Sequence, residues 1–254
     1  MSAKNTISSR EVTNEGIKSE ILQYTTPNDI FNQKRTKFYS QHGEEGVLEY
    51  IFEMVSTTNQ YYVEFGAANY PQLSNTASFQ LNHGWNGLLL ERDRNKPRPK
   101  DFALNFFYEE VTASNINEVF KKYHVPPFFD LLSIDIDSHD YWVWKALRYR
   151  PRVVIIETNP GISNDLPLAM CKDVSAGPHN YFGGNLHAFY NLASKKGYEF
   201  VTAVEYNAIF IERGDFHKLN ISPISRSECL SSYRPPESYW ASRFDYDKDW
   251  CIVD

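Results

Sequence analysis

Acidic side chains recur at the ends of the predicted strands, and they offer the clearest chemistry in this sequence. Each follows or ends a short apolar or aromatic run of the kind that forms a buried strand. The carboxyl ends of parallel strands meet at one edge of a sheet, so we expect these acids to share one rim. Buried carboxylates are costly unless they are paired, and a core does not need such a set. The sequence therefore predicts a functional site at a rim that carries Glu64, Glu91, Asp135, Asp137 and Glu157.

A second group follows the fourth and fifth predicted strands and could hold a cation or move a proton. Asp137 and His139 follow the fourth strand, and Glu157 and Asn159 follow the fifth. If these strands are neighbours, Asp137, Glu157 and Asn159 supply two carboxylates and an amide oxygen, which suit Mg²⁺. Either Asp137 or His139 could act as a general base. The alternative is that Asp137 and His139 only cap the helix predicted to begin at Tyr141.

Residues 61–91 are predicted to form a strand, a loop, a helix and a second strand, as in the first half of a nucleotide-binding unit. Gly66 ends the first strand, and Glu91 ends the second, where an acid can accept hydrogen bonds from ribose hydroxyls. The pattern Gly-x-Gly-x-x-Gly is absent, which disfavours a dinucleotide. Glu64 would repel phosphate but would suit the cationic amine of S-adenosylmethionine. The alternative is a strand-helix-strand unit that binds no ligand.

Two loops beside this unit contribute further polar candidates. Residues 74–76, Ser-Asn-Thr, offer an N-cap for the helix of the unit. Residues 38–46 lead into a helix whose apolar stripe begins at Val47, and the helix dipole favours Glu44 and Glu45 at its start. An alternative places Gln41 and Glu44 at the mouth of a cofactor site.

The predicted elements indicate an α/β fold built on an open, mostly parallel sheet. Five strands alternate with helices, and the strands at residues 198–203 and 207–212 are close enough to pair antiparallel. Residues 161–178 are expected to be irregular. We expect an N-terminal arm at residues 1–37, a main domain at residues 38–215, and a C-terminal tail at residues 216–254 packed on the domain.

Composition and charge exclude several classes of protein. The chain has 254 residues and a net charge of −6, which suits one large α/β domain and argues against a nucleic-acid partner. No apolar run approaches the length of a membrane span, and residues 1–10 lack the apolar core of a signal peptide. Cys171, Cys229 and Cys251 are far apart, so we expect three free thiols in the cytoplasm. Nothing in the sequence indicates an oligomeric state.

Several of these motifs together resemble the FkbM family of methyltransferases. The resemblance covers roughly residues 39–212. It is carried by Tyr39-Ser-Gln-x-Gly-Glu, Val63-Glu-Phe-Gly-Ala-x-Asn69, Ser74-Asn-Thr76, Gly84-Trp-x-Gly87 with Glu91, Leu132-Ser-Ile-Asp-x-Asp137 and Pro151-Arg-Val-Val-Ile-Ile-Glu157.

The resemblance implies a Rossmann-like methyltransferase fold, S-adenosylmethionine as the cofactor, and methyl transfer to an oxygen, often of a sugar or natural product. It also implies that Glu91 binds the ribose and that Asp135 lies at the methyl-donor end. The run Asp-x-Asp-x-His-x-Tyr from Asp135 is similar to that of metal-dependent sugar O-methyltransferases, although Glu157-Thr-Asn159 replaces two adjacent acids here. By the same resemblance, the methionine part is surrounded by Glu64, Gly66, Asn69, Ser74, Asn75 and Thr76.

The main hypothesis is an S-adenosylmethionine-dependent O-methyltransferase that acts on a hydroxyl of a small molecule or sugar. The alternative is a module that keeps the cofactor-binding fold but does not catalyse transfer. An NAD-linked oxidoreductase is disfavoured by the missing glycine pattern and by Glu64. The sequence does not identify the methyl acceptor, although residues 161–178 and the C-terminal tail are expected to shape its pocket.

Overall fold

A seven-stranded sheet forms the centre of the fold. The computed structural model describes residues 27–67, 69–99, 105–174, 183–232 and 250–254. The strands of the main sheet are β1 (Tyr61–Phe65), β2 (Asn86–Glu91), β3 (Phe106–Tyr108), β4 (Phe128–Ile134), β5 (Arg150–Glu157), β7 (Tyr198–Val204) and β8 (Asn207–Glu212). A separate two-stranded sheet pairs β6 (Leu168–Met170) with β9 (Trp250–Ile252).

The order of strands in the main sheet is β3-β2-β1-β4-β5-β8-β7. Strands β1 to β5 run parallel, and β8 lies antiparallel between β5 and β7. This topology confirms the predicted α/β, Rossmann-like sheet with an antiparallel terminal pair. The chain runs outward from β1 to β3 on one side and from β4 to β5 on the other. Ligands of such sheets bind where the order reverses, at the carboxyl ends of β1 and β4.

The main sheet is covered on both faces, which explains why its central strands are continuous apolar runs. Leu131 and Leu132 are adjacent in β4 and fully buried, yet they belong to two different hydrophobic clusters on opposite faces. The described helices are α1 (Pro27–Asn32), α2 (Glu44–Val55), α3 (Ala77–Leu81), α4 (Ile116–Lys122), α5 (Asp140–Ala146), α6 (Leu186–Lys196), α7 (Arg213–Phe216), a 3₁₀ turn (His217–Leu219) and α8 (Arg226–Ser232). Among the described residues, no helix has both the length and the apolar character needed to cross a bilayer.

Two elements differ from the sequence prediction. Strand β4 ends at Ile134, so Asp135 and Asp137 lie in the following loop instead of in the strand. Residues 161–178, expected to be irregular, contain β6, which is ordered by pairing with β9. The apolar run at residues 102–107 also predicts a strand, and residues 102–104 of it lie outside the described residues, as do residues 1–26 of the predicted arm.

The prediction of three free cysteines is wrong. Cys171 and Cys251 form a disulfide, with Cα atoms 5.1 Å apart, whereas Cys229 is a buried thiol outside this disulfide. The two residues are 80 positions apart, and they meet because β6 pairs with β9, with Ala169 opposite Cys251. Spacing along the chain could not reveal this pairing. The disulfide ties the C-terminal strand to the segment that follows β6.

Candidate functional site

A cavity of about 1270 Å³ lies at the carboxyl edge of the main sheet. Its wall includes residues that follow β1, β2, β4 and β5, together with the segment after β6. The volume exceeds that of most single small-molecule pockets, so it can hold two ligands side by side. The predicted site residues that line it are Gln41, Gly66, Asn69, Ser74, Glu91, Asp135, Asp137, His139 and Glu157.

Glu64 holds the loop after β1 and lies behind the cavity wall. Its carboxylate accepts hydrogen bonds from Ser74 Oγ and Thr76 Oγ1, both at 2.6 Å, and from the Asn75 N–H at 2.9 Å. Burial raises the pKa of the Glu64 carboxyl, and these hydrogen bonds oppose that shift. Glu64, Asn75 and Thr76 do not line the cavity, which places Glu64 as a support for Ser74 instead of a direct ligand contact.

Gly66 brings the loops after β1 and β4 into contact. Its φ of 75° lies in the left-handed region that favours glycine. Its N–H donates to the Leu90 carbonyl at 3.0 Å, and a Cβ built on it would lie only 1.8 Å from the Asp135 carbonyl oxygen. A side chain at this position would therefore separate the two loops.

Glu91 emerges beside Gly66 at the end of β2. The register of β1 and β2 pairs Phe65 with Leu90. Gly66 and Glu91, which follow this pair in the chain, therefore lie side by side at the cavity. Glu91 is buried, and its Oε1 accepts the Asp93 N–H at 2.6 Å, which fixes the carboxylate at the wall. The structure thus brings these two predicted residues together.

The loop that carries Gln41 is held by the two acids at the start of α2. The Glu45 carboxylate accepts the backbone N–H groups of residues 38–40 at 2.5, 2.8 and 3.1 Å. Glu44 is fully buried and accepts the Asn207 side-chain amide at 2.8 Å. Gln41 therefore lines the cavity, whereas Glu44 supports the loop from behind.

Three carboxylates meet at the ends of β4 and β5. One oxygen each from Asp135, Asp137 and Glu157 lies within 4.8 Å of the other two. Burial raises the pKa of the Asp135 carboxyl well above its ordinary range, and the negative charge of Asp137 raises it further. Burial likewise raises the pKa of the Glu157 carboxyl, and the charge of Asp135 adds to this effect. Such an acid group requires a cation or a retained proton.

The side-chain oxygens of Glu157 and Asn159 differ in their hydrogen bonding. Its Oε2 is buried and has no hydrogen-bond partner among the described residues. Asn159, the third ligand predicted from sequence, does not line the cavity: it is buried, and its Oδ1 accepts the Gly161 N–H at 3.0 Å. Asp135 supplies the third carboxylate of the group.

Asp140 shapes the loop that presents Asp137, and sequence analysis did not identify this role. Its carboxylate is fully buried and accepts the N–H groups of Ile136 at 2.9 Å and Ser138 at 3.1 Å. Between them, Asp137 has a φ of 51°, in the left-handed region that aspartate adopts more readily than most residue types. The only sequence signal for this arrangement is the position of Asp140, an acid in the first turn of a helix that follows a strand.

His139 lines the cavity at the start of α5. Its Nε2 lies 3.2 Å from the Cys171 carbonyl oxygen, and a carbonyl can only accept, so Nε2 carries the hydrogen. The neutral ring therefore has its lone pair on Nδ1. One turn further, Trp142 Nε1 donates to the Met170 carbonyl at 2.7 Å. These two bonds fix α5 against the segment after β6.

Comparison with known proteins gives limited information. The sequence matches no protein-family model, and no curated protein is significantly similar to it. The FkbM resemblance is therefore not confirmed.

Three solved structures show partial likeness. An S-adenosylmethionine-dependent methyltransferase from Archaeoglobus fulgidus is 8% identical, covers 62% of this chain and 72% of its own, and has a TM-score of 0.37. A Streptococcus thermophilus protein provisionally named a hemolysin is 11% identical, with coverage of 73% and 74% and a TM-score of 0.41. The glycopeptide N-methyltransferase MtfA is 10% identical, with coverage of 72% and 95% and a TM-score of 0.35. Likenesses of this size carry no information on activity.

Proposed function

We propose that the protein is an S-adenosylmethionine-dependent methyltransferase that methylates a hydroxyl of a small molecule or sugar. The observation that carries this proposal is the juxtaposition of Gly66 and Glu91 where the strand order reverses. Gly66 lets the loops after β1 and β4 meet at the cavity wall, and Glu91 offers an acceptor for ribose hydroxyls. The three acids and His139 lie along the same cavity wall, where an acceptor can meet the cofactor.

The residues present fit this cofactor. Gln41, Asn69 and Ser74 surround the cavity on the β1 side with neutral polar groups, which can hold the amino-acid end of the cofactor. When bound, the cofactor supplies an electrophilic methyl group. The protein then needs to hold the acceptor oxygen in line with that methyl and to remove its proton.

His139 is the proposed proton acceptor, and Asp137 is the alternative base. The bond from His139 Nε2 to the Cys171 carbonyl leaves Nδ1 as the atom that accepts the proton and fixes the ring at the cavity wall. Asp137 is exposed, so its carboxylate can also reach an acceptor hydroxyl.

We further propose that Asp135, Asp137 and Glu157 hold a divalent cation such as Mg²⁺. Their oxygens are close enough to share one ion, carboxylates are the ligands that Mg²⁺ prefers, and Glu157 Oε2 has no other described partner. When bound, the cation would lower the pKa of an acceptor hydroxyl. This set replaces Asn159 of the sequence-based hypothesis with Asp135.

Titration calorimetry with the purified full chain tests the cofactor. We expect S-adenosylmethionine and its demethylated product S-adenosylhomocysteine to bind, and NAD to bind weakly, because the wall offers a ribose acceptor but no glycine-rich pyrophosphate loop. Tight binding of NAD without any response to the two S-adenosyl ligands would overturn the proposal.

Glu91→Ala is expected to weaken the binding of S-adenosylhomocysteine about tenfold to a hundredfold, because it removes a charged acceptor worth about 1.5–3 kcal/mol. The dissociation constant from calorimetry measures this effect. Glu118→Ala is the control, since Glu118 is an exposed carboxylate on α4 that does not line the cavity. An unchanged constant in folded Glu91→Ala protein would show that Glu91 only ends its strand.

A further inference from the structure

Two lysines and a tryptophan form a basic, aromatic wall on the side of the cavity made by α5 and residues 171–174. Lys172 Nζ lies 4.5 Å from the centroid of the Trp142 ring, and Lys145 Nζ lies 5.1 Å from it. All three side chains line the cavity. We refer to Trp142, Lys145 and Lys172 as the Lys-Trp wall.

The Lys-Trp wall is held in place from two directions. Trp142 and Lys145 are three residues apart on α5 and follow His139 by the same spacing, so the three share one face of the helix. The bond from Trp142 Nε1 to the Met170 carbonyl orients the indole, and the disulfide of Cys171 anchors the residue before Lys172. Trp142 is therefore fixed in orientation, and the two exposed lysines approach its ring from α5 and from the segment after β6.

The two lysines of the wall make no ion pair within the described part of the chain. Asp173 lines the same part of the cavity but makes no salt bridge to either lysine. A contact with an aromatic ring leaves the N–H groups of an ammonium able to donate to an anion.

We propose that the methyl acceptor is an anion, namely a hydroxylated ring that carries a carboxylate or a phosphate. The ring packs on Trp142, the anionic group lies between Lys145 and Lys172, and a hydroxyl points toward His139. This assignment deepens the proposed function and depends on it for the identity of the reaction. At about 1.5 Å of rise per residue, His139 and Lys145 are about 9 Å apart along the helix, which suits one ring with a charged substituent.

The test compares three sugars that differ only at C6, where glucose carries a neutral hydroxymethyl group, glucuronate a carboxylate and glucose 6-phosphate a phosphate. Their binding to the full chain, saturated with S-adenosylhomocysteine, is measured by ligand-observed NMR. We expect at least one of the two anions to bind about tenfold more tightly than glucose, because its charge-assisted hydrogen bonds are about twice as strong as neutral ones. The carboxylate and phosphate arms show which anion is preferred.

The double variant Lys145→Met, Lys172→Met is expected to bind the preferred anion no more tightly than glucose. Lys34→Met is the matched control: Lys34 Nζ lies 4.4 Å from the centroid of the Tyr50 ring, is exposed, and does not line the cavity. Unchanged affinity of the double variant for S-adenosylhomocysteine shows that its cofactor site is intact.

Failure of this inference is distinguishable from failure of the proposed function. If neither anion binds more tightly than glucose, or if the double variant retains the preference, the anionic acceptor is overturned even when S-adenosylhomocysteine binds well. If S-adenosylhomocysteine does not bind, the proposed function fails, and the sugar comparison made without it still reports whether the wall selects anions.

Discussion

Gly66→Ala is expected to weaken the binding of S-adenosylhomocysteine more than about a hundredfold, to the point of no detectable heat in a calorimetric titration. Two effects add at this position. The φ of 75° is strained for alanine, and the new Cβ would lie 1.8 Å from the Asp135 carbonyl oxygen. A contact this short cannot exist, so the loops after β1 and β4 must separate. Their separation moves the backbone that the cofactor would contact and displaces Asp135.

Gly84→Ala is the control for this experiment, because it reproduces the strain without the collision. Gly84 has a φ of 70°, and a Cβ built there meets nothing within 4 Å. We expect it to lower the melting temperature slightly and to leave the dissociation constant near that of the wild type. Wild-type binding by folded Gly66→Ala would refute the proposed placement. Equal losses in both variants would assign the effect to backbone strain alone.

The positions of several site residues could be predicted because they depend on where strands end. Glu91 and Glu157 end strands whose apolar character is evident in the sequence, and parallel strands must bring such ends to one edge. Asp135 and Asp137 were predicted as the end of a strand and lie one to three residues beyond it. This shift leaves both carboxylates at the predicted edge of the sheet, because the loop that carries them begins where β4 ends.

The direction in which each polar side chain faces could not be predicted, because it depends on hydrogen-bond partners that are distant in sequence. Glu64 turns away from the cavity since three donors of the loop at residues 74–76 satisfy its carboxylate. The disulfide of Cys171 depends on the pairing of β6 with β9, for which the local pattern gives no signal.

Asp137→Asn is expected to weaken the binding of a divalent cation about tenfold to a hundredfold, since the amide keeps an oxygen but removes the negative charge of a direct ligand, a loss at least as large as that of an outer partner. Mn²⁺ is a suitable probe, because its binding can be followed by electron paramagnetic resonance without any knowledge of the acceptor. Asp173→Asn is the matched control: Asp173 is also an exposed aspartate that lines the cavity, but it lies outside the acid group. It should bind Mn²⁺ as the wild type does.

Activity adds a second readout once a methyl acceptor is known. A chelator should abolish methyl transfer, and added Mg²⁺ should restore it, because the three clustered carboxylates need a cation to coexist in their charged form. Full turnover in excess chelator, together with equal Mn²⁺ binding by wild type and Asp137→Asn, would remove the cation from the mechanism. In that case a proton retained on Asp135 or Glu157, whose carboxyl pKa values burial raises, would replace the cation. The turnover rates of His139→Ala and Asp137→Asn would then identify the metal-free base. Only the variant that lacks the base should lose methyl transfer, and it should still bind S-adenosylhomocysteine.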